Sequence, residues 1–204
     1  MEIEDKVAVV TGAGSRIGRA VARRLAHEGA AIVVADVDED AGASAVREIH
    51  SEGGRAAFVL VDVAAETNVE KMVAFAEGVF GGLDVLVNNA GGVTEPYFPE
   101  SEPEYGAAKA GVVRLTASLA TLKEQMGVRV NCICPGWVDT PASRRSRAQM
   151  TPEEREKSVP SILLQPEEIA EAVVIFVEDE TMTGRVMIWQ EGEPWQIVPS
   201  DAPY

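Results

Sequence analysis

Short apolar runs and helically spaced apolar positions alternate along the chain. Val7-Ala8-Val9-Val10 is a β-rich run of the kind that forms a strand buried on both faces. Ile17, Val21 and Leu25 then recur at helical spacing, and Gly29 predicts the stop. Ile32 to Ala35 predicts a second strand, Ala41 to Ile49 a helix, and Gly53-Gly54 a turn. Phe58 to Val61 predicts a third strand. Val69, Met72, Val73 and Ala76 mark a third helix, and Val85 to Val87 a fourth strand. This alternation predicts an α/β fold: a parallel sheet with right-handed crossovers and helices on both faces. From Gly91 to Glu104 the periodicity stops, and Pro96, Pro99 and Pro103 predict loop. Helical spacing resumes with Val112, Leu115, Leu119 and Leu122. Val128 to Ile133 predicts a strand, Ile169, Val173 and Phe176 a helix, and Val186 to Trp189 a last strand. Residues 139–165 are charged and interrupted by proline, which predicts short helices in a flap. The tail from Gly192 to Tyr204 is expected to run along the surface. No repeat or linker divides residues 1–204, so a single domain is expected.

Composition narrows the function classes more than it defines them. The net charge of −15 argues against nucleic acid or an anionic membrane as partner. No apolar run approaches the ~20 residues of a membrane helix. The acidic N-terminus enters a strand directly, so no signal peptide is expected and a cytoplasmic protein is. The only two cysteines, Cys132 and Cys134, are expected to be reduced and structural. Adjacent strand positions of that kind are poorly placed to bridge. As half of a metal site they lack partners elsewhere in the sequence, so no metal is expected.

Candidate chemistry sits at the strand ends. Between the first strand and first helix lies Thr11-Gly12-Ala13-Gly14-Ser15-Arg16-Ile17-Gly18. Glycines there let backbone approach a pyrophosphate, and a helix N-terminus supplies free N–H groups and partial positive charge. Asp36 ends the second strand eighteen residues after Gly18. It either accepts two ribose hydroxyls, repelling a 2′-phosphate, or caps the next helix. Asp62, followed by Val63, either fixes an adenine amino group or caps a helix. Asn88-Asn89-Ala90-Gly91 leaves room for a ligand at a strand's carboxyl end, or is simply a turn. Tyr105 and Lys109 are four apart, on one helix face. A lysine there favours phenolate, and a tuned tyrosine gives or takes a proton at a carbinol or carbonyl oxygen. Alone, such a pair is an ordinary surface feature. Arg144, Arg145 and Arg147 in the flap either meet an anionic substrate or form a solvated helix face.

Together and in this order, these motifs resemble the short-chain dehydrogenase/reductase family. The resemblance continues through Asn131-Cys132-Ile133-Cys134-Pro135-Gly136-Trp137-Val138-Asp139-Thr140 and Gly184-Arg185-Val186. It implies a Rossmann-like doubly wound fold and hydride transfer between an alcohol and a ketone, with NAD, or alternatively NADP, as cofactor. By resemblance, Tyr105 is the acid/base, and Lys109 holds the nicotinamide ribose. Gly12, Gly14, Ser15, Arg16, Ile17, Gly18, Asp36, Asp62, Val63, Asn89, Ala90 and Gly91 hold the rest of the dinucleotide. Pro135, Gly136 and Val138 line the nicotinamide, and Thr140 reaches its carboxamide or the pyrophosphate.

Two departures from the family pattern carry consequences. Arg16 stands where the family usually has glycine, and arginine-bearing versions occur in NADPH-using, pteridine reductase-like members. Arg16 thus pulls toward NADPH while Asp36 pulls toward NAD. Secondly, only thirteen residues separate Gly91 from Tyr105. That interval in the family holds a helix and a strand ending in a serine that polarises the substrate oxygen. Thirteen residues cannot hold an average helix of ~11–12 residues plus a strand of ~5–6. Lacking this helix–strand unit, the sheet is expected to close with order 3-2-1-4-6-7 in the family's strand numbering. The helix of Tyr105 is expected to expose an apolar stripe, and the family's usual homodimer is placed in doubt because its helix is absent. Ser101 is the nearest hydroxyl in sequence to take the serine's role, with Thr94 and Tyr97 as weaker candidates. The enzyme reading thus stands beside two others: a dinucleotide-binding sensor or partner subunit of weak activity, and a shortened isoform.

Overall fold

The structure is a computed structural model that describes residues 1–91, 103–190 and 192–198. Its first elements are β1 (Val7–Thr11), α1 (Arg16–His27), β2 (Ala31–Asp36), α2 (Glu39–Ser51), β3 (Arg55–Leu60), α3 (Glu66–Phe80) and β4 (Val85–Val87). After them come α4 (Pro103–Ser118), a short 3-10 turn, α5 (Leu122–Met126), β5 (Cys132–Pro135), α6 (Pro141–Gln149) and α7 (Pro152–Ser158). The last are α8 (Pro166–Glu178), β6 (Val186–Trp189) and β7 (Gln196–Val198). They fall into two compact units, Met1–Gly92 with Pro166–Glu178, and Val93–Gln165 with Asp179–Tyr204.

The first unit is a parallel sheet of order β3-β2-β1-β4. Successive strand residues face opposite sides, which explains its unbroken apolar runs. Ala8, Val10, Ile32 and Val34 face α1, α2 and α8, where Val21, Leu25, Ile49 and Val174 complete the core. Val7, Val9, Val33 and Ala35 face the other side and pack with Met72 and Ala76 of α3. Each such valine or isoleucine taken fully from water contributes about 1.5–3 kcal/mol. Helix α8 joins this unit from far along the chain: Arg24 of α1 donates to Glu171 at 2.6 Å, and the N-terminal amine donates to the Glu178 carbonyl at 2.8 Å.

Strand β3 starts three residues before the apolar run that predicted it. Pairing with the buried β2 is continuous from Ala31↔Arg55 to Asp36↔Leu60, so tertiary pairing recruits the weak strand formers Arg55, Ala56 and Ala57. His50 helps fix this entry, its Nε2 lying 2.9 Å from the Ala56 carbonyl oxygen.

In the second unit β5 pairs in parallel with β6, which pairs antiparallel with β7. The expected order is therefore found in two pieces. The run 3-2-1-4 is complete, and the family's strands six and seven pair as β5 and β6. Among the described residues the ladders form two sheets, β3-β2-β1-β4 in the first unit and β5-β6-β7 in the second. Ahead of β5 the chain bonds to the turn that leads into β6. Gly184 N–H donates to the Val130 carbonyl at 2.7 Å, and the Asn131 side chain binds Met182 O and Arg185 N at 3.2 and 3.1 Å. Strand β5 consequently begins at Cys132, not Val128. The tail contributes a strand, β7, where only surface chain was expected.

On helix α4, where an apolar stripe is expected to be exposed, Val112 is 48% and Leu115 57% exposed. The flap 139–165 holds the two short helices α6 and α7. Among the described residues no helix is long and apolar enough to cross a membrane.

Candidate functional site

The predicted site residues form two groups, one in each unit. In the first, β1 delivers the glycine turn to the N-terminus of α1. Gly12 adopts φ +66° and Arg16 φ +54°, so the residue that replaces the family's glycine keeps a left-handed backbone. An L-residue there bears about 1–2 kcal/mol of strain. A Cβ on Gly18 would overlap the Gly12 carbonyl oxygen and stand 2.6 Å from Asn89 Nδ2, so α1 can cross the turn this closely only with glycine. Ser15 caps α1 in extended conformation without a side-chain hydrogen bond, and the first turn holds no acidic residue. The helix therefore opens on free N–H groups and partial positive charge, with Ser15 and Arg16 both exposed. Half-buried Ile17 packs against the core behind them.

Asp36 is held from both sides. Gly14 N–H donates to Oδ2 at 2.8 Å and Asp38 N–H to Oδ1 at 3.0 Å. Asp38, not Asp36, caps α2 through its own carboxylate, accepting from Ala41 N–H at 3.0 Å. Of the two readings of Asp36, the cap is therefore ruled out, and each oxygen keeps accepting capacity for a hydroxyl donor. Asp62 accepts from Ala64 N–H at 2.9 Å in a turn before α3, whose capping position is Ala65. Asp62 and Val63 are both exposed.

Thr11, which opens the glycine motif but carries no predicted role of its own, joins the turn to the end of β4. It is 1% exposed, and its hydroxyl donates to the Val87 carbonyl at 3.3 Å. The same oxygen accepts from Asn89 and Ala90 N–H groups, each at 3.0 Å. Asn89 Nδ2 returns to the Thr11 carbonyl at 2.9 Å. Asn89 and Ala90 are thus positioned by the turn, and Gly91 lies exposed beyond them. The available signal was a lone hydroxyl at the end of an otherwise apolar strand.

In the second unit α4 carries Tyr105 and Lys109 one turn apart, with Lys109 Nζ 5.3 Å from the Tyr105 ring centroid. Tyr105 is half-buried and Lys109 exposed. Strand β5 ends at Pro135, and Gly136 N–H donates to the Trp189 carbonyl at 2.8 Å. Val138 bridges Leu164 and anchors the flap at both ends. Thr140 caps α6 reciprocally with Ser143: its hydroxyl accepts from Ser143 N–H at 3.2 Å, and Ser143 Oγ accepts from Thr140 N–H at 3.0 Å. Ser143 also donates to the Val138 carbonyl at 2.7 Å. In the flap, Arg144 makes a two-pronged pair with Asp139 at 2.8 and 2.9 Å, which holds that carboxyl below its usual range. Arg144, Arg147, Ala148 and Arg155 line a cavity of about 280 Å³. Among the described residues Arg147 Nε is buried without a hydrogen-bond partner. Ser101, Thr94 and Tyr97 lie outside the described residues.

Residues 6–104 match the sequence model of a family described as short chain dehydrogenase, and residues 94–192 one described as Enoyl-(Acyl carrier protein) reductase. An uncharacterized oxidoreductase of Thermotoga maritima is 32% identical over 87% of this chain and 90% of its own length. The chain belongs to the short-chain dehydrogenase/reductase family. Another family relative, the cis-4-hydroxycyclohexanecarboxylate dehydrogenase of Sinomonas cyclohexanicum, is 34% identical over 86% of this chain and 90% of its own. A solved 7α-hydroxysteroid dehydrogenase, complexed with NADH and 7-oxo glycochenodeoxycholic acid, superposes with TM-score 0.81 at 26% identity over 93% of each chain. The alignment to the Thermotoga oxidoreductase spans 232 positions, more than the 204 residues of this chain. Relatives therefore carry residues that have no counterpart here.

Proposed function

We propose that this oxidoreductase interconverts an alcohol and a ketone with a nicotinamide dinucleotide, NAD in preference to NADP. The observation that carries the reading is the first half-site: an uncapped helix N-terminus crossed by Gly18, beside a carboxylate anchored at the end of β2. Those groups fit a pyrophosphate and an adenosine ribose. Asp36 disfavours a 2′-phosphate, and exposed Arg16 favours one; Asp36 has the stronger claim because Gly14 fixes its carboxylate. Asp62, Val63, Asn89, Ala90 and Gly91 line the adenosine side. Pro135, Gly136, Val138 and Thr140 receive the nicotinamide end. The dinucleotide, when bound, supplies or accepts the hydride. Tyr105 gives its hydroxyl proton to the carbonyl oxygen or takes it from the carbinol, and the nearby Lys109 ammonium favours the phenolate.

With Arg144 already held by Asp139, Arg147 and Arg155 of the flap pocket favour an alcohol that also bears a carboxylate. The hydroxycyclohexanecarboxylate relative is named for a substrate of that class. A second reading, dinucleotide binding with weak turnover, is favoured by the thirteen-residue interval before Tyr105. Loss of an aimed oxyanion donor costs about 10²–10³-fold in rate.

The test is reduction of NAD⁺ and NADP⁺ against secondary alcohols with and without a carboxylate, using wild type and Tyr105→Phe. We expect carboxylate-bearing alcohols to turn over with NAD⁺. Tyr105→Phe should lose at least about a hundredfold in kcat while still binding NADH, followed by tryptophan quenching. Turnover unchanged in Tyr105→Phe would remove the mechanism. NADH binding with no turnover of any alcohol would establish the second reading.

A further inference from the structure

Strand β5 carries two thiols, Cys132 and Cys134, that the dehydrogenase reading does not use. One residue apart on an extended strand, their side chains leave the same face. The Sγ atoms lie 3.8 Å apart, both residues are half-buried, and neither forms a disulfide. From α4, Lys109 and the buried Thr116 face them. From β6 the register partners are Val186, Met187, Ile188 and Trp189, none of which titrates.

Burial alone would raise both thiols. Here the pair divides. The hydrogen bond from Cys132, and then the Lys109 charge, hold the Cys134 thiol below its ordinary value against the opposing effect of burial. Donating that bond, together with burial, pushes the Cys132 thiol up. Of the two sulfurs 3.8 Å apart, Cys134 is thus the one favoured as thiolate, and a thiolate is the nucleophilic form.

We propose that Cys134 and Cys132 form a peroxide-reactive dithiol, with Cys134 as attacking thiolate and Cys132 as resolving thiol. In the first step Cys134 sulfur bonds one peroxide oxygen. The O–O bond breaks, and the departing hydroxide takes a proton from solvent to become water. Cys134 is then a sulfenic acid. In the second step Cys132 sulfur attacks Cys134 sulfur, and the S–O bond breaks. The hydroxyl leaves with the Cys132 proton as a second water. The two thiols are oxidised by two electrons in all, and the peroxide is reduced. The sulfurs close from 3.8 Å to about 2.05 Å. Strand positions two apart stand near the upper limit of Cα separation for a bridge, about 6.8 Å, so the bond is strained and easily reduced. Unlike an inert structural cysteine pair, such a site records oxidant exposure reversibly.

The experiment treats the reduced full-length protein with one equivalent of hydrogen peroxide at neutral pH and maps the peptide Val130–Arg144. That peptide should become lighter by two hydrogens, lose both alkylatable thiols, and recover both on treatment with dithiothreitol. Limiting iodoacetamide on untreated wild type should label Cys134 at least about tenfold faster than Cys132. Cys132→Ser should trap a dimedone-reactive sulfenic acid at Cys134, while Cys134→Ser should react no faster than a free thiol. The wild-type mapping needs no variant, so misfolding of either serine variant leaves it decisive. Equal labelling of the two cysteines at the free-thiol rate, or oxidation to sulfinic acid without the bridge, would overturn the proposal.

Discussion

Gly18 is the residue on which the proposed dinucleotide half-site turns. Its Cα faces a backbone carbonyl, that of Gly12, which cannot swing aside as a side-chain tip can. Gly18→Ala should therefore cost about 1–3 kcal/mol, the usual range for overpacking. The same variant should weaken NADH binding at least tenfold, because α1 must move away from the turn. Chemical denaturation and tryptophan quenching read the two effects separately; unchanged affinity would show that the turn yields without losing its shape. In the proposed site the discriminating pair is Asp36 and Arg16. Arg16→Gly relieves left-handed strain but gains unfolded-chain entropy, so stability should shift by less than about 1 kcal/mol. Affinity for NADPH should fall while that for NADH holds. A fall in both by the same factor would place Arg16 on the pyrophosphate rather than on the 2′ position. Legibility at this scale followed chemistry. The glycines, Asp36, Tyr105 and Lys109 announce themselves by type and spacing. Thr11 did not, because its importance comes from burial against Val87, Asn89 and Ala90, nearly eighty residues away in sequence.

At the scale of elements, apolar periodicity located β1, β2 and β4 closely because each is a continuous valine-rich run. It misplaced β3, where Arg55 to Ala57 become strand only through pairing with β2. It also misplaced the start of β5, since nothing in Val128 to Asn131 reveals that the 182–185 turn will occupy it. Three-residue β7 lies below what any period can mark. Helix α4 is the opposite case, where its surroundings were readable. The short interval before Tyr105 predicted an uncovered stripe, and Val112 and Leu115 are exposed. A leucine 57% exposed has little transfer energy to lose. Leu115→Gln, which also keeps helix propensity, should therefore change stability by less than about 0.5 kcal/mol. A loss of about 2 kcal/mol or more in a thermal melt, growing with protein concentration, would show instead that another chain covers this face.

For the molecule as a whole, two opposing electrostatic effects determine how stability responds to acid. Several carboxyls lie below their ordinary values. Glu171 is lowered chiefly by the Arg24 hydrogen bond, Glu154 by Thr151 N–H and hydroxyl, Asp139 by Arg144, and Asp179 by Thr181. A carboxyl lowered by folding stabilises the fold above its unfolded value, and that contribution is lost as pH falls through the folded one. For these groups the loss begins near the ordinary values of 3.8 for Asp and 4.5 for Glu and continues below them. Against this stands the net charge of −15 at pH 7, whose self-repulsion fades as pH approaches the isoelectric point near 4.5. The two effects act in different windows. Between pH 8 and 5 the pairs remain ionised while unpaired acids begin to lose charge, so Tm should hold or rise slightly. Below about pH 4 the pairs protonate and Tm should fall. Added salt screens long-range repulsion between exposed charges, so about 0.5 M NaCl should flatten the rise. The acid fall should persist, because the cap of Thr151 on Glu154 is a direct hydrogen bond. Scanning calorimetry at half-unit pH steps, at low and high salt, tests this. A Tm that drops steadily from pH 8 to 5 at both salt concentrations would mean that a group titrating near neutrality, outside these carboxylates, controls the fold.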